Sequence, residues 1–429
     1  MTSIAKLILP LSLLTAFAMA EPTGMRAWKS TAGTTIEATA EKVVNGQVSM
    51  KAADGRALVV PMDKLSEQDR EFLKAHFAIK EPEPGQPTDS GAAPLTDGLP
   101  HPVGEVSGPI DAGGGSHYHV YLPKTLRQGR KTPLMLHTGA GGGNANSAKM
   151  YAEAAELAGW ILASCVESKN GQSFEANHDH AKRCVEHLIA NLPIDENRVY
   201  FTGGSGGGAM SFYNALRIKS AGNMPLIGYS HDGTFEKGQY CYGIGGTRDY
   251  NRYATAGAIV EFKDRGFHRL HPGGHDGGPA WIGVEGILWL NGRYLGDRKK
   301  ESEFDAERLD FEASLITWAR GLSEKEPYRA HYWCTFLTEE YQIAGANAAP
   351  VAKLLEKLGA DPINARYTAG LAAIDGFSEK LYGDGGARVG SRRKFTTPQT
   401  QKAAEKLATE YAGVPLIEEI AKDLGSPTG

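Results

Sequence analysis

The stretch RVYFTGGSGGGAM, residues 198–210, places Ser205 among five glycines between a strand-like run and a helix-like run. A flexible linker would lie between polar segments, and a phosphate-binding loop would need a lysine after the last glycine. A dinucleotide-binding turn would stand early in its fold, whereas two strand–helix units already precede this cluster. Gly203-x-Ser205-x-Gly207 between a strand and a helix instead predicts a nucleophile elbow, a tight turn that exposes the serine.

The segments around this turn predict an α/β fold from about residue 103 to residue 295. Short apolar runs alternate with stretches of helical spacing, which indicates βαβ units and a mostly parallel sheet with helices on both faces, a doubly wound arrangement. The predicted strands are 116–123, 132–138, 159–167, 198–203, 224–230, 239–246 and 267–272.

A nucleophilic serine needs a histidine base and an acid that orients the base. Asp249 follows the strand 239–246, and His275 follows the strand 267–272 on a glycine-bounded turn. Because the carboxyl ends of parallel strands lie along one edge of a sheet, Ser205, Asp249 and His275 are predicted to converge there. Asp232 is a rival for the acid and His271 a rival for the base, and both alternatives stay open at this point.

Other polar residues near these strands have simpler interpretations. Asp276 adjoins His275 in sequence and is poorly placed to turn back onto its ring, and His137 is expected to orient a loop. His178 and His180 form an H-x-H pair, but the spacing supplies no third ligand. The sequence therefore predicts neither a metal site nor a cofactor site.

The oxyanion formed during attack by a serine needs backbone N–H donors. One is expected from Gly206, directly after the nucleophile, and a second from the loop LHTGAGGGN, residues 136–144. Thr138 and Gly139 are the two candidates in that loop, because its glycines leave backbone donors unobstructed.

Composition and the N-terminus indicate an exported protein without affinity for nucleic acid. The chain has 429 residues and a formal net charge of −4, which gives no attraction to nucleic acid or to an anionic membrane. Residues 1–20 combine a lysine, a short apolar run and an A-x-A ending, the pattern of a signal peptide, with no membrane span expected after its cleavage; an uncleaved anchor is the alternative. Four cysteines allow disulfides in an oxidising compartment, but their spacing selects no pairing, and buried free thiols are the alternative: Cys165, Cys184, Cys241 and Cys334.

Three further segments flank the central fold. Residues 25–78 predict a small SH3-like β-barrel closed by a short helix that Ser66 caps. The W-x-S-x-x-G-x-x-I-x-A opening and the ending LSEQDREFL resemble the Sla-type homology domain, which is common in exported bacterial proteins. Residues 79–102 are rich in Pro, Gly, Ser and Asp and predict a linker, and residues 300–425 predict a helical C-terminal region.

The central segment resembles a family of secreted α/β-hydrolase esterases, which includes polyhydroxybutyrate depolymerases, feruloyl esterases and acetyl xylan esterases. The pieces that carry the likeness are PLMLHTGAGGG, PIDENRVYFTGGSGGGAM, GIGGTRDYN and LHPGGHD. The resemblance implies a Ser205 nucleophile, an Asp249 acid, a His275 base and oxyanion donors from Gly206 with Thr138 or Gly139. It also implies small-molecule or polysaccharide esters as substrates, a periplasmic or extracellular location and no cofactor.

Two departures from the family pattern concern the oxyanion loop and the substrate pocket. Thr138 follows His137 where the family loop reads His-Gly, and the aromatic residue after the histidine turn is delayed to Trp281. A serine peptidase of the same fold is one alternative function. A non-catalytic binding protein on a hydrolase scaffold is another, since the N-terminal barrel and the helical region are typical of interaction modules. The partner of that barrel is not identified by the sequence.

Overall fold

The structure is a computed structural model. It describes residues 21–44, 47–77, 87–230, 233–382 and 398–425. The chain divides into two compact units, Met1–Pro84 and Gly85–Gly429, called the N-terminal unit and the main unit below. The predicted signal peptide and the rival acid Asp232 lie outside the described residues.

The N-terminal unit contains a small antiparallel sheet and one helix. Its elements are β1 (Arg26–Lys29), β2 (Thr35–Val44), β3 (Gln47–Ala52), β4 (Ala57–Pro61) and α1 (Glu67–His76), with the strands in the order β1-β2-β3-β4. Trp28 and Leu73 are buried in the core between sheet and helix, and Ser66 accepts a hydrogen bond from the Asp69 N–H as the predicted cap of α1. Closure of this sheet into an SH3-like barrel stays a prediction.

The main unit is built on an eight-stranded sheet in the order β12-β11-β10-β9-β7-β8-β6-β5. Among the strands described, β6 pairs antiparallel with both of its neighbours, β5 and β8, and the other pairings in this sheet are parallel. The strands are β5 (Val106–Asp111), β6 (His117–Tyr121), β7 (Thr132–Thr138), β8 (Ile161–Cys165), β9 (Ile194–Gly204), β10 (Gly222–Leu226), β11 (Tyr240–Gly246) and β12 (Gly266–His271). The predicted mostly parallel sheet is thereby confirmed.

Helices cover both faces of this sheet. Along β9, Tyr200 belongs to one hydrophobic core while Val199 and Phe201 belong to the other, as expected when successive side chains point to opposite faces. The helices before residue 300 are α2 (Ala145–Ala148), α3 (Ala152–Ala158), α4 (Phe174–Asn191), α5 (Gly206–Ala215), α6 (Arg252–Ile259) and α7 (Ala280–Gly296). The doubly wound arrangement predicted from the alternating pattern is therefore observed.

The helices after residue 300 share a core with one face of the sheet. They are α8 (Asp305–Lys325), α9 (Pro327–Thr335), α10 (Ala348–Gly359), α11 (Pro362–Tyr382), α12 (Pro398–Glu410) and α13 (Ile417–Gly425). Phe311, Trp333 and Ile417 from this region are buried in the same hydrophobic cluster as Tyr200. The predicted helical region is thus packed into the main unit.

A buried ionic cluster also joins these helices to the sheet. Glu285 Oε1 accepts hydrogen bonds from Arg329 Nε at 2.8 Å and from Trp333 Nε1 at 3.2 Å. The guanidinium of Arg269, on β12, lies 3.7 Å from the other carboxylate oxygen. All three charged side chains are almost fully buried, so each depends on its partners for charge compensation.

One strand and one helix near the central segment, β5 and α7, were absent from the sequence prediction. Strand β5 pairs antiparallel with β6 at the sheet edge. Helix α7 is buried on nearly all sides, so apolar residues occur all around it and form no stripe that would indicate a helix. The four cysteines are buried free thiols. None of the described helices is long and apolar enough to cross a membrane.

Candidate active site

Ser205 occupies the turn between β9 and α5. Its φ of 56° and ψ of −117° lie outside the regions that most side chains adopt, which is a form of local strain typical of functional turns. Its N–H donates to the carbonyl of Leu226 on the neighbouring strand at 3.0 Å, so the strained turn is anchored to the sheet. The sharp turn predicted from the glycine cluster is thus observed.

The glycines at positions 203 and 207 are required by a close backbone approach. A Cβ on either residue would lie 1.9 Å from the carbonyl oxygen of Thr138, at the end of β7. No side chain fits at that distance, so only glycine allows the elbow to sit against β7. The hydroxyl of Thr138 also donates to the carbonyl of Gly207 at 3.1 Å, which links the two segments.

The structure brings Ser205, His275 and Asp249 together at the carboxyl edge of the sheet. His275 Nε2 lies 2.8 Å from Ser205 Oγ, and His275 Nδ1 lies 2.7 Å from Asp249 Oδ1. Asp249 follows β11 and His275 follows β12, as the sequence predicted. The three side chains form a continuous hydrogen-bonded line from hydroxyl to carboxylate, which is the arrangement of a nucleophile, a base and an orienting acid.

The carboxyl group of Asp249 is fully buried. Its Oδ1 also accepts a hydrogen bond from the N–H of Asn251 at 3.0 Å, while Oδ2 has no hydrogen-bond partner among the described residues. Burial raises the pKa of this carboxyl above its ordinary value, against the opposing effects of the Asn251 N–H and His275. Because Oδ1 faces Nδ1, the neutral imidazole carries its hydrogen on Nδ1 and leaves Nε2 free to accept the proton of Ser205.

The turns that carry the acid and the base are tied to each other and to α13. The N–H of Thr247 donates to the carbonyl of His271 at 2.9 Å, and the N–H of Arg248 donates to that of Gly273 at 2.8 Å. The hydroxyl of Thr247 donates to Asp423 Oδ2, on α13, at 3.0 Å. The last helix of the chain therefore contributes to holding the acid turn in place.

The candidate oxyanion donors lie beside the serine. Gly206 is the first residue of α5, and the first N–H groups of a helix have no acceptor within it. A Cβ on Gly207 would come within 3.1 Å of the Cα of Gly139, so the loop after β7 lies directly against the elbow. The predicted donors Gly206, Thr138 and Gly139 are thus close neighbours in the structure.

The rival residues near the site have other partners. The ring nitrogens of His271 lie 3.0 Å and 3.2 Å from the carbonyl oxygens of Pro272 and Asp276, within the histidine turn. The carboxylate of Asp276 accepts hydrogen bonds from the N–H groups of Gly274 and Gly278, so it orders the turn that carries His275.

The remaining candidate histidines are also engaged elsewhere. His178 pairs with the side chain of Asn214 at 2.9 Å, and His180 pairs with the hydroxyl of Ser116 at 2.8 Å. Burial lowers the pKa of His137 to about 4, so its ring is neutral near pH 7 at the end of β7. No group of three or more candidate metal ligands is found in the part of the chain that the structure describes.

Two residues at the site were missed by sequence reasoning. The ring of Tyr250 stacks on His275, with 4.2 Å between ring centroids and 20° between ring planes. The Oδ1 atom of Asn170 lies 1.9 Å from the point that a Cβ on Gly206 would occupy, and the Asn170 N–H donates to the carbonyl of Ala140 in the oxyanion loop. Tyr250 was signalled only by its place next to Asp249, and Asn170 by nothing in the sequence.

No family model matches the chain, and no curated protein sequence is similar to it. Its structure is similar to that of a hyperthermophilic esterase from the archaeon Pyrobaculum calidifontis, at 14% identity and a TM-score of 0.36, over 45% of this chain and 83% of the esterase. An S-formylglutathione hydrolase from Staphylococcus aureus is 12% identical at a TM-score of 0.35, over 45% of this chain and 99% of that one. An acetyl xylan esterase from Aspergillus awamori is 16% identical at a TM-score of 0.31, over 37% and 80% of the two chains.

Proposed function

We propose that this chain is a serine esterase of the α/β-hydrolase type, acting through an acyl-enzyme. The observation that carries the proposal is the hydrogen-bonded triad of Ser205, His275 and Asp249. His275 lies 2.8 Å from Ser205 Oγ and 2.7 Å from Asp249 Oδ1, and the serine occupies a strained turn at the start of a helix. A serine activated by a base is a nucleophile for carbonyl carbon, and acyl transfer is the reaction class that uses such a triad.

In the first half of the reaction, Ser205 Oγ attacks the ester carbonyl while His275 Nε2 takes its proton. Asp249 keeps the imidazole in the reactive tautomer and stabilises the imidazolium. The N–H of Gly206, with that of Thr138 or Gly139, binds the oxyanion, and each such donor contributes about 100- to 1,000-fold in rate. His275 then delivers its proton to the leaving oxygen, and the acyl group stays on Ser205.

In the second half, water attacks the acyl-enzyme. His275 Nε2 accepts a proton from that water and returns it to Ser205 as the acid product leaves. The helix dipole of α5 supports both halves, because the positive N-terminal end of the helix faces the developing negative charge. The chain's own side chains supply every proton transfer that this mechanism requires.

The location of the protein, its substrate class and the role of the N-terminal unit are proposed from the sequence. We propose export to the periplasm or the extracellular space on the basis of residues 1–20, and acyl or aryl esters, including those of polysaccharides, as substrates on the basis of the family resemblance. The N-terminal unit is proposed to be an SH3-like domain of the Sla type that binds a protein partner.

The test compares purified wild-type protein with Ser205→Ala on p-nitrophenyl acetate and p-nitrophenyl butyrate. Loss of the nucleophile is expected to lower kcat by several orders of magnitude, about 10⁶-fold where a triad acts as a unit, with a residual rate from the oxyanion donors. Ser302→Ala, at an exposed position, is the matched control and should retain full activity.

Three outcomes separate the candidate functions. Equal activity in wild type and Ser205→Ala, or no activity in either folded protein, would reject the nucleophile and favour a binding scaffold. Activity on p-nitroanilides comparable to that on esters would favour a peptidase. Circular dichroism establishes that each variant is folded.

A further inference from the structure

Tyr250 holds an unusual position for an exposed residue. It is 52% exposed, yet its hydroxyl oxygen lies 2.9 Å from His275 Nε2 and its ring is stacked on the imidazole. It lies on the turn between β11 and α6, directly after the buried Asp249. The side chain therefore covers the reactive nitrogen from the solvent side.

Two hydroxyl groups lie within hydrogen-bond distance of that nitrogen. Ser205 Oγ lies 2.8 Å from His275 Nε2 and the Tyr250 hydroxyl 2.9 Å from it. A neutral imidazole whose hydrogen is on Nδ1 has one in-plane lone pair on Nε2, so it accepts one strong hydrogen bond at a time. Because the Tyr250 ring is stacked on the imidazole, its hydroxyl reaches Nε2 from the face of the ring, and the in-plane lone pair stays directed at Ser205.

The position of the Tyr250 oxygen is also one that the reaction needs. Nε2 must pass its proton to the leaving oxygen in acylation and take a proton from water in deacylation, and both partners must come within hydrogen-bond reach of it. The Tyr250 oxygen already lies within that reach, on the side open to solvent. A leaving group that reaches Nε2 therefore contacts the Tyr250 side chain.

We propose that Tyr250 is the specificity-determining gate on the leaving-group side of the site, an inference that rests on the proposed esterase function. The stacked ring loses its contact with His275 when it moves away. A leaving alcohol that carries an aromatic ring restores a stacking contact with Tyr250, whereas a small alkyl alcohol does not. The favoured substrates are therefore esters of alcohols that bear an aromatic ring.

The experiment measures kcat/KM for benzyl acetate and ethyl acetate, which share an acyl group and have leaving alcohols of similar acidity. It uses the full chain as wild type, Tyr250→Ala and Tyr250→Phe, with Ser205→Ala as the background. Selectivity is the ratio of the two kcat/KM values, so any general loss of activity cancels. Because Tyr250 is half exposed, both variants are expected to fold, which thermal unfolding verifies.

Tyr250→Ala is expected to lower the selectivity for benzyl over ethyl acetate by about 2- to 10-fold, the range of an aromatic pair contact. Its kcat/KM should fall less for ethyl acetate than for benzyl acetate, because the ethyl group makes no ring contact with Tyr250. Tyr250→Phe keeps the ring and should keep the selectivity.

The inference is overturned if Tyr250→Ala keeps the wild-type selectivity, or if it slows both esters equally, since the ring would then only support His275. Loss of selectivity in Tyr250→Phe would assign the effect to the hydroxyl and overturn the role of the ring. Wild-type protein that hydrolyses neither ester would reject the esterase function itself, and this inference with it.

Discussion

Replacing Asp249 by asparagine should lower activity without lowering stability, because the buried negative charge is needed for catalysis but destabilises the folded chain. In the wild type, Asp249 Oδ1 lies 2.7 Å from His275 Nδ1 and accepts its hydrogen. The asparagine amide can donate to Nδ1 instead, which moves the imidazole hydrogen to Nε2 and removes the acceptor that Ser205 needs. We expect kcat to fall by about 10⁴-fold, as for loss of the orienting acid in other triads.

Stability should not follow activity. Burial raises the pKa of the Asp249 carboxyl. This group therefore stays protonated to a higher pH in the folded chain than in the unfolded chain. The free energy of unfolding therefore falls as pH rises from the ordinary carboxyl pKa through the raised one, and it stays lower above that window. The neutral asparagine avoids this loss, so Asp249→Asn should be at least as stable as wild type at pH 7, with the difference vanishing in acid.

The assay pairs p-nitrophenyl acetate hydrolysis with urea unfolding at pH 7 and at about pH 3, below the ordinary carboxyl pKa. The matched control is Asp276→Asn, since this carboxylate adjoins His275 in sequence but is 60% exposed and contacts its own turn and the His271 ring. It should lose much less activity. Asp249→Asn with nearly wild-type kcat would refute Asp249 as the acid, and a marked loss of stability at pH 7 would refute the electrostatic argument.

Two further substitutions test the packing that positions the site. Gly207→Ala places a Cβ 1.9 Å from the carbonyl oxygen of Thr138, and a shift of about 1 Å at the elbow should lower kcat/KM for p-nitrophenyl acetate by about 100-fold. Gly204→Ala is the control, since its Cβ would meet no atom within 4 Å, and equal losses in both would contradict the steric argument. Glu285→Gln removes the carboxylate that two buried guanidinium groups share, although Arg329 also pairs with the partly exposed Glu326, and should cost about 3–5 kcal/mol of unfolding free energy, measured with urea. Exposed Glu324→Gln should change it by less than about 0.5 kcal/mol, and a comparable value for Glu285→Gln would show that the cluster is not held by charge.

The succession of strands and helices along the chain and the place of the serine could be predicted from the sequence, because both depend on local patterns. Alternating strand and helix periods predict parallel pairing, and parallel strand ends meet along one edge wherever the chain goes in between. That geometry is enough to place Ser205, Asp249 and His275 at one edge. The glycines at 203 and 207 likewise follow from the sharp turn between β9 and α5, although the atom they avoid, the Thr138 oxygen, is visible only in the structure.

The tertiary structure decided what depends on side-chain direction and on contacts between distant segments. It showed that Asp249 and not Asp276 faces His275, that Tyr250 lies over the imidazole, and that the hydroxyl of Thr247 reaches Asp423 on the last helix. It also placed the helices after residue 300 on the same core as the sheet. The pattern of a single segment contains no information on which neighbour covers it, since a loop side chain takes its direction from the packing of elements far away in sequence.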